Sequence, residues 1–308
     1  MSIADVFPKI LVLFLIIGIG FIANRCGVIN QEGNRMLSKL VISVTFPAYV
    51  LGSAMNSTSA SPASVFTMLG ISCAHYALLF IIVAFLPKLL RTPKEQVGTY
   101  RFMFCFANTG FIGFPVVSAI LGEEAIFTAT MFNLPFNLLS YTIGVVMLSS
   151  TRSEGKVKLD PKLFLTPTVI ACVLAIVIAL VPVKWPSLLI NTCQTLGAVT
   201  TPAALIIIGS TIAGMPLKNL AGSPRVYFMA FFRLVFMPLL CWAVLRPFLD
   251  DRMILGVVVI LAGMPIATNG TMLSLIYGGD TELMSQGTFL TTMLSLITIP
   301  LMALLLQI

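Results

Sequence analysis

The sequence predicts an all-α polytopic membrane protein: ten transmembrane helices forming two inverted five-helix repeats, with helices 4 and 9 broken mid-membrane. Three observations predict it. Of the 308 residues, 58% are hydrophobic and only 9% charged, with mean hydropathy +1.04, where a soluble globular chain has about a quarter charged. Basic residues alternate between dense and sparse in successive connections. Two membrane-length apolar stretches are each interrupted near their middle by Asn, Thr, Gly and Pro.

A spanning helix needs about 20 apolar residues. Ten stretches reach that length, near 5–24, 36–55, 63–87, 99–121, 124–149, 163–182, 187–213, 225–247, 252–277 and 283–307. The first lacks a basic region before its apolar core and a small-residue cleavage site, so it is expected to be a retained span rather than a signal peptide. No soluble segment flanks the outer spans, so no appended catalytic or nucleotide-binding domain is expected.

Charge sets the orientation. With the N-terminus outside, the inner connections carry Arg25, Arg35, Lys39, Lys88, Arg91, Lys94, Arg101, Arg152, Lys156, Lys158, Lys162, Lys218 and Arg225, thirteen in all. The outer ones carry Lys9, Lys184, Arg246 and Arg252, which is four. The net charge of +7 is therefore a topological signal, placing both termini on the non-cytoplasmic side, and not a nucleic-acid footprint. The longest hydrophilic connection, Ser149–Lys162, separates five spans from five. The expected division is a first repeat over 1–150, a cytoplasmic linker over 151–162 and a second repeat over 163–308. An odd number of spans per half forces the halves into opposite orientations. Short echoes agree. Val44-Thr45-Phe46-Pro47-Ala48 resembles Val199-Thr200-Thr201-Pro202-Ala203 at an offset of 199 − 44 = 155. Gly122-Glu123-Glu124 resembles Gly279-Asp280-Thr281-Glu282 at 279 − 122 = 157, whereas the Asn residues of the breaks differ by 269 − 108 = 161.

The breaks carry the chemistry. The first reads Phe106-Ala107-Asn108-Thr109-Gly110-Phe111-Ile112-Gly113-Phe114-Pro115, the second Ala262-Gly263-Met264-Pro265-Ile266-Ala267-Thr268-Asn269-Gly270. An unwound segment frees N–H groups at the start of the following half-helix, which favour an anion, and carbonyls at the end of the preceding one, which favour a cation. The candidate binding residues are Asn108, Thr109, Gly110, Gly113, Pro115, Pro265, Ala267, Thr268, Asn269 and Gly270. The Asn and Thr side chains offer uncharged donors and acceptors, the glycines permit close backbone approach, and the prolines remove helix hydrogen bonds. The alternative is a pair of kinked packing helices glued by their Asn residues.

No carboxylate falls well inside a span, which disfavours cation coupling through an intramembrane acid. His75, the only histidine, has two readings: a proton relay in span 3, or a neutral packing hydrogen bonder. Arg233, within span 8, either attracts an anion or pairs with a carboxylate or with carbonyls. Glu123, Glu124, Asp280 and Glu282 read as caps of the helices that follow. The six cysteines are scattered singly and read as small packing residues. No metal-ligand spacing, HExxH, GxSxG or phosphate loop is present, so neither a metal, a cofactor nor an enzyme activity is expected.

These residues carry a family resemblance. Asn108-Thr109-Gly110-Phe111-Ile112-Gly113-Phe114-Pro115 resembles the fourth-span motif of the auxin efflux carrier family, which includes plant PIN carriers and bacterial permeases for malate and malonate. Met264 to Gly270, followed by Tyr277-Gly278-Gly279-Asp280, resembles the ninth-span motif of the bacterial branch, and Arg233 with Pro238 resembles the Arg-x4-Pro of its eighth span. The resemblance implies a fold related to that of bile acid–sodium symporters. Spans 1, 2, 6 and 7 would be a scaffold, often a homodimer, and spans 3–5 and 8–10 a moving transport bundle with crossed broken helices. Two departures matter: Gly270 stands where plant carriers have proline, and the ninth span lacks the Glu that serves sodium binding in the bile-acid branch.

The expected function is secondary or facilitative transport of a small organic anion, a mono- or dicarboxylate such as malate or malonate, across the inner membrane by elevator-type alternating access. The rivals are a non-transporting membrane sensor or partner subunit with a carrier fold, and an anion channel.

Overall fold

The structure, a computed structural model, describes residues 3–56, 62–150, 166–181, 183–214 and 223–306. The expected linker 151–162, with four of the basic residues used for orientation, lies outside these, as does Lys218. Among the described residues there are thirteen principal helices: α1 Ile3–Arg25, α2 Gln31–Asn56, α3 Pro62–Leu89, α4 Val97–Cys105, α5 Thr109–Leu121, α6 Ala125–Ser140, α7 Ile143–Ser149, α8 Pro167–Leu180, α9 Ser187–Gly214, α10 Pro224–Leu245, α11 Arg252–Ala262, α12 Asn269–Tyr277 and α13 Thr281–Leu305. No strand is found among them, only an isolated antiparallel bridge between Ala107 and Ile266. Six helical stretches are long and apolar enough to cross a membrane, and four shorter apolar helices accompany them. Two of the shorter ones, α5 and α11, are halves of stretches that the sequence reads as single spans.

Local chemistry sets the helix ends. α2 starts five residues before the sequence-expected span, because the Asn30 side chain accepts from Gly33 N at 2.8 Å and caps a polar first turn. Thr166 caps α8 ahead of Pro167, and Asp251 accepts from Met253 N and Ile254 N to cap α11. Asp280 caps α13 through Leu283 N, as its capping reading expects. Glu124 stands at the N-cap of α6 without a side-chain bond, and Glu123 instead accepts from Tyr49 Oη at 2.8 Å and from Ser118 Oγ. The stretch 124–149 is not one helix but turns at Tyr141–Thr142.

Three helices contain a widened π-turn: Val41–Thr45, Thr109–Gly113 and Phe232–Phe236. Each is followed by a proline two residues on, at Pro47, Pro115 and Pro238. A helical proline clashes with the carbonyl four residues back, here Ser43, Phe111 and Leu234, mid-turn in every case. Widening the turn relieves that clash without ending the helix.

Packing joins α1 to α9, and α2 to α8 and α9, while α3 packs on α6, α10 on α11 and α13, and α12 on α13. The α1–α9 contact is backbone to backbone: a Cβ on Gly209 would lie 1.9 Å from the Ile17 carbonyl oxygen, and one on Gly20 2.3 Å from that of Ile206. Thr200 Oγ1 donates to Thr45 Oγ1 at 2.9 Å, so the two echoed sequence runs meet in space. Around the first break, Phe106 packs with Phe102, Phe136 and Tyr76. Large apolar side chains such as Leu15, Ile22, Phe85 and Leu188 face outward, as lipid permits.

Gly209→Leu is expected to force α1 from α9 and to cost at least the roughly 1–3 kcal/mol of overpacking. Thermal unfolding of the detergent-purified protein checks it, with Gly110→Ala, whose Cβ meets nothing within 4 Å, as the neutral control.

Candidate functional site

The two breaks meet. α4 ends at Cys105, and the chain passes extended through Phe106 before resuming at Thr109. α11 ends at Ala262, and helix resumes at Asn269. Between them, Asn108 N donates to Pro265 O at 2.7 Å and Ala267 N donates to Phe106 O at 3.0 Å. These two bonds flank the Ala107–Ile266 bridge. They pair groups that would otherwise each cost several kcal/mol in a membrane interior. Ile266 N donates to Thr291 Oγ1, and the Asn108 side-chain oxygen accepts from Phe111 N at 3.0 Å, capping α5.

Arg233 completes the crossing from the side. It is 1% exposed, with Nη1 donating to Phe104 O at 2.7 Å and Nε to Met264 O at 3.2 Å. Of its two readings, the structure shows pairing with carbonyls, one at the end of α4 and one just past the end of α11. His75 lies elsewhere, its Nδ1 3.6 Å from Cys241 Sγ, beside a separate apolar cavity of about 150 Å³.

Beside the crossing lies a cavity of about 110 Å³ at the starts of α5 and α12. Five of the sequence-expected residues line it: Asn108, Gly110, Ala267, Thr268 and Asn269. Five do not. Thr109 is fully buried and donates to Asn133 Oδ1. Pro265 serves through its carbonyl, and Pro115 sits in the turn after the π-segment. A Cβ on Gly113 would lie 2.6 Å from Leu261 Cδ2, and one on Gly270 2.8 Å from Phe102 Cε1, so both glycines serve packing.

Neighbouring helices supply lining residues that the sequence reading missed: Asn133, Asn137 and Tyr141 from α6 and its end, Thr166 and Thr168 at the start of α8, and Thr200 from α9. A signal existed in Asn133-Leu134-Pro135-Phe136-Asn137, where two amides four residues apart share one helix face within an apolar span. Among the described residues no charged side chain lines the cavity. Three amide atoms of lining residues are buried without a hydrogen-bond partner: Asn108 Nδ2, Asn137 Nδ2 and Asn269 Oδ1. Each such group costs about 1–3 kcal/mol. Asn108 and Asn269 stand at the starts of the two half-helices, and Asn137 faces the same cavity from α6.

A larger cavity of about 500 Å³ is lined by Glu123, Glu124 and Asp251. Among the described residues no group of His, Cys, Asp and Glu is arranged to hold a metal, and the six cysteines are free.

Long apolar helices arranged around two discontinuous ones, with a cavity at their crossing lined by amides and hydroxyls, define a multi-pass membrane protein. Comparison with known sequences gives the family: the chain belongs to the membrane transport protein family, the auxin efflux carriers, whose model matches residues 5–303. It is 22% identical over 300 residues to an uncharacterized transporter of Methanocaldococcus jannaschii, covering 95% of this chain and 96% of that one. It is 23% identical over 308 residues to a Rhizobium meliloti protein named "Putative malonate transporter", covering 96% and 94%. With the uncharacterized transporter YfdV of Escherichia coli it shares 22% over 250 residues, 77% and 76% of the two chains. The chain is thus a membrane transporter.

Thr109→Val would leave the Asn133 side-chain oxygen without its donor and is expected to destabilise by about 1–3 kcal/mol, while Thr109→Ser holds close to wild type. Thermal unfolding of the two variants checks this.

Proposed function

We propose that the chain carries a small organic anion, a mono- or dicarboxylate such as malate or malonate, across the inner membrane by secondary or facilitative transport. The observation that carries this reading is the cavity at the starts of α5 and α12, with unpartnered Asn108 and Asn137 amide nitrogens among its lining residues. A helix N-terminus is worth roughly half a positive charge. Two of them offer about one, which favours a carboxylate of the substrate at this end of the cavity. The substrate-binding assignment rests on Asn108, Gly110, Ala267, Thr268 and Asn269, with Thr109, Gly113, Pro115, Pro265 and Gly270 holding the crossing in shape.

The transporter is proposed to have ten spans in two inverted repeats, 1–150 and 163–308, with both termini on the non-cytoplasmic side. The Ala107–Ile266 bridge supports this by setting the break of one proposed repeat against the break of the other. Thr200 and Thr45 bond to each other at 200 − 45 = 155, and the positive-φ glycines ending α12 and α5 differ by 278 − 122 = 156. Packing among α1, α2, α8 and α9 supports their assignment as the scaffold, also the proposed homodimer contact, against which α3–α7 and α10–α13 move.

Counterflow of radiolabelled malonate in proteoliposomes tests the reading. Wild type is expected to exchange a small carboxylate. Asn108→Ala and Asn269→Ala are each expected to lose at least about tenfold in apparent affinity, equivalent to roughly 1.4 kcal/mol. Gly110→Val, placed where a Cβ has open space, is expected to fold normally and block binding. Unchanged exchange in all three variants would defeat the site assignment.

A further inference from the structure

We propose that Arg233 is a built-in cation that neutralises the carbonyl ends of both interrupted helices, so that this crossing neither needs nor binds sodium. α4 and α11 end at the crossing, and the carbonyl end of a helix carries roughly half a negative charge. Two such ends make about one. Freed carbonyls of this kind are a seat for a bare monovalent cation. Here the seat is taken by a guanidinium: Nη1 holds Phe104 O of the first helix and Nε holds Met264 O of the second break. Arg233 is 1% exposed, and among the described residues its charge is met by these carbonyls and by no carboxylate.

A charge buried this deeply without counter-charge is strongly unfavourable unless polar groups surround it. Its retention in an apolar span is explained if it does the work of a bound ion. The planar fork of donors also reaches two carbonyls on different helices at once, which a lysine ammonium does less well. The π-turn Phe232–Phe236, two residues ahead of Pro238, carries Arg233 and belongs to the same device. A metal ion there would tie the crossing to the sodium gradient. A side chain fixed to α10 does not leave.

The test uses the full chain purified in detergent and needs no substrate, so its failure is separate from failure of the transport reading. Thermal unfolding is compared in sodium chloride and choline chloride at equal ionic strength. Wild type is expected to melt at the same temperature in both. Arg233→Ala and Arg233→Gln are expected to melt lower by more than about 5 °C, Arg233→Lys to retain most of the wild-type Tm, and low-millimolar guanidinium or sodium to restore part of the loss in Arg233→Ala. A wild type stabilised by sodium over choline overturns the proposal, and so does a Gln variant that melts with wild type. If Arg233→Ala does not survive purification, Lys against Gln decides: equal melting of the two is contrary to a cation's role. The wild-type salt comparison stands whatever the variants do.

Discussion

Two backbone hydrogen bonds between segments far apart in sequence hold the centre of this protein. A lipid interior offers no water to a broken helix, so every freed N–H and carbonyl must find a partner in the protein. Asn108 N to Pro265 O and Ala267 N to Phe106 O answer that demand by letting each break satisfy the other. Neither break is tenable alone. The crossing is therefore a single cooperative unit, and the helices that frame it must arrive at a fixed distance and register.

From that unit the electrostatics follow. Crossing two interrupted helices puts two carbonyl ends and two N–H ends near one another. The carbonyl ends are closed by the Arg233 guanidinium. The N–H ends, at the starts of α5 and α12, open on a cavity lined by amides, hydroxyls and aromatic rings. Opposite partial charges are thus separated across the crossing, the negative ends met by the protein's own side chain and the positive ends facing the cavity. Arg233 bonds carbonyls and lies outside the cavity lining.

Much of this was legible from residue types. The helical class, the location of both breaks and five of the cavity-lining residues follow from small polar residues, Gly and Pro inside apolar runs. Pairing register was not legible. The Asn residues of the breaks stand 161 apart, whereas the bridge pairs residues 266 − 107 = 159 apart and sets Ala107 against Ile266. That register depends on how the helices around the crossing pack, which no local pattern encodes. Thr109 was read as a ligand contact because its hydroxyl sits in the break, yet Asn133 on α6 claims it. Arg233 finds its partners 129 and 31 residues away, beyond any periodicity argument.

The claim on which the rest depends is that residues 107 and 266 face each other across an antiparallel, non-hydrogen-bonded pair, where Cα atoms stand about 4.5 Å apart. Cysteines at such a distance can be bridged without backbone movement. The most direct measurement is mass spectrometry of Ala107→Cys/Ile266→Cys, made with Cys105→Ser and oxidised in membranes with iodine. A 107–266 disulfide in protein that retains its folded melting transition is the predicted result. Both thiols remaining reduced in a folded protein would contradict the crossing.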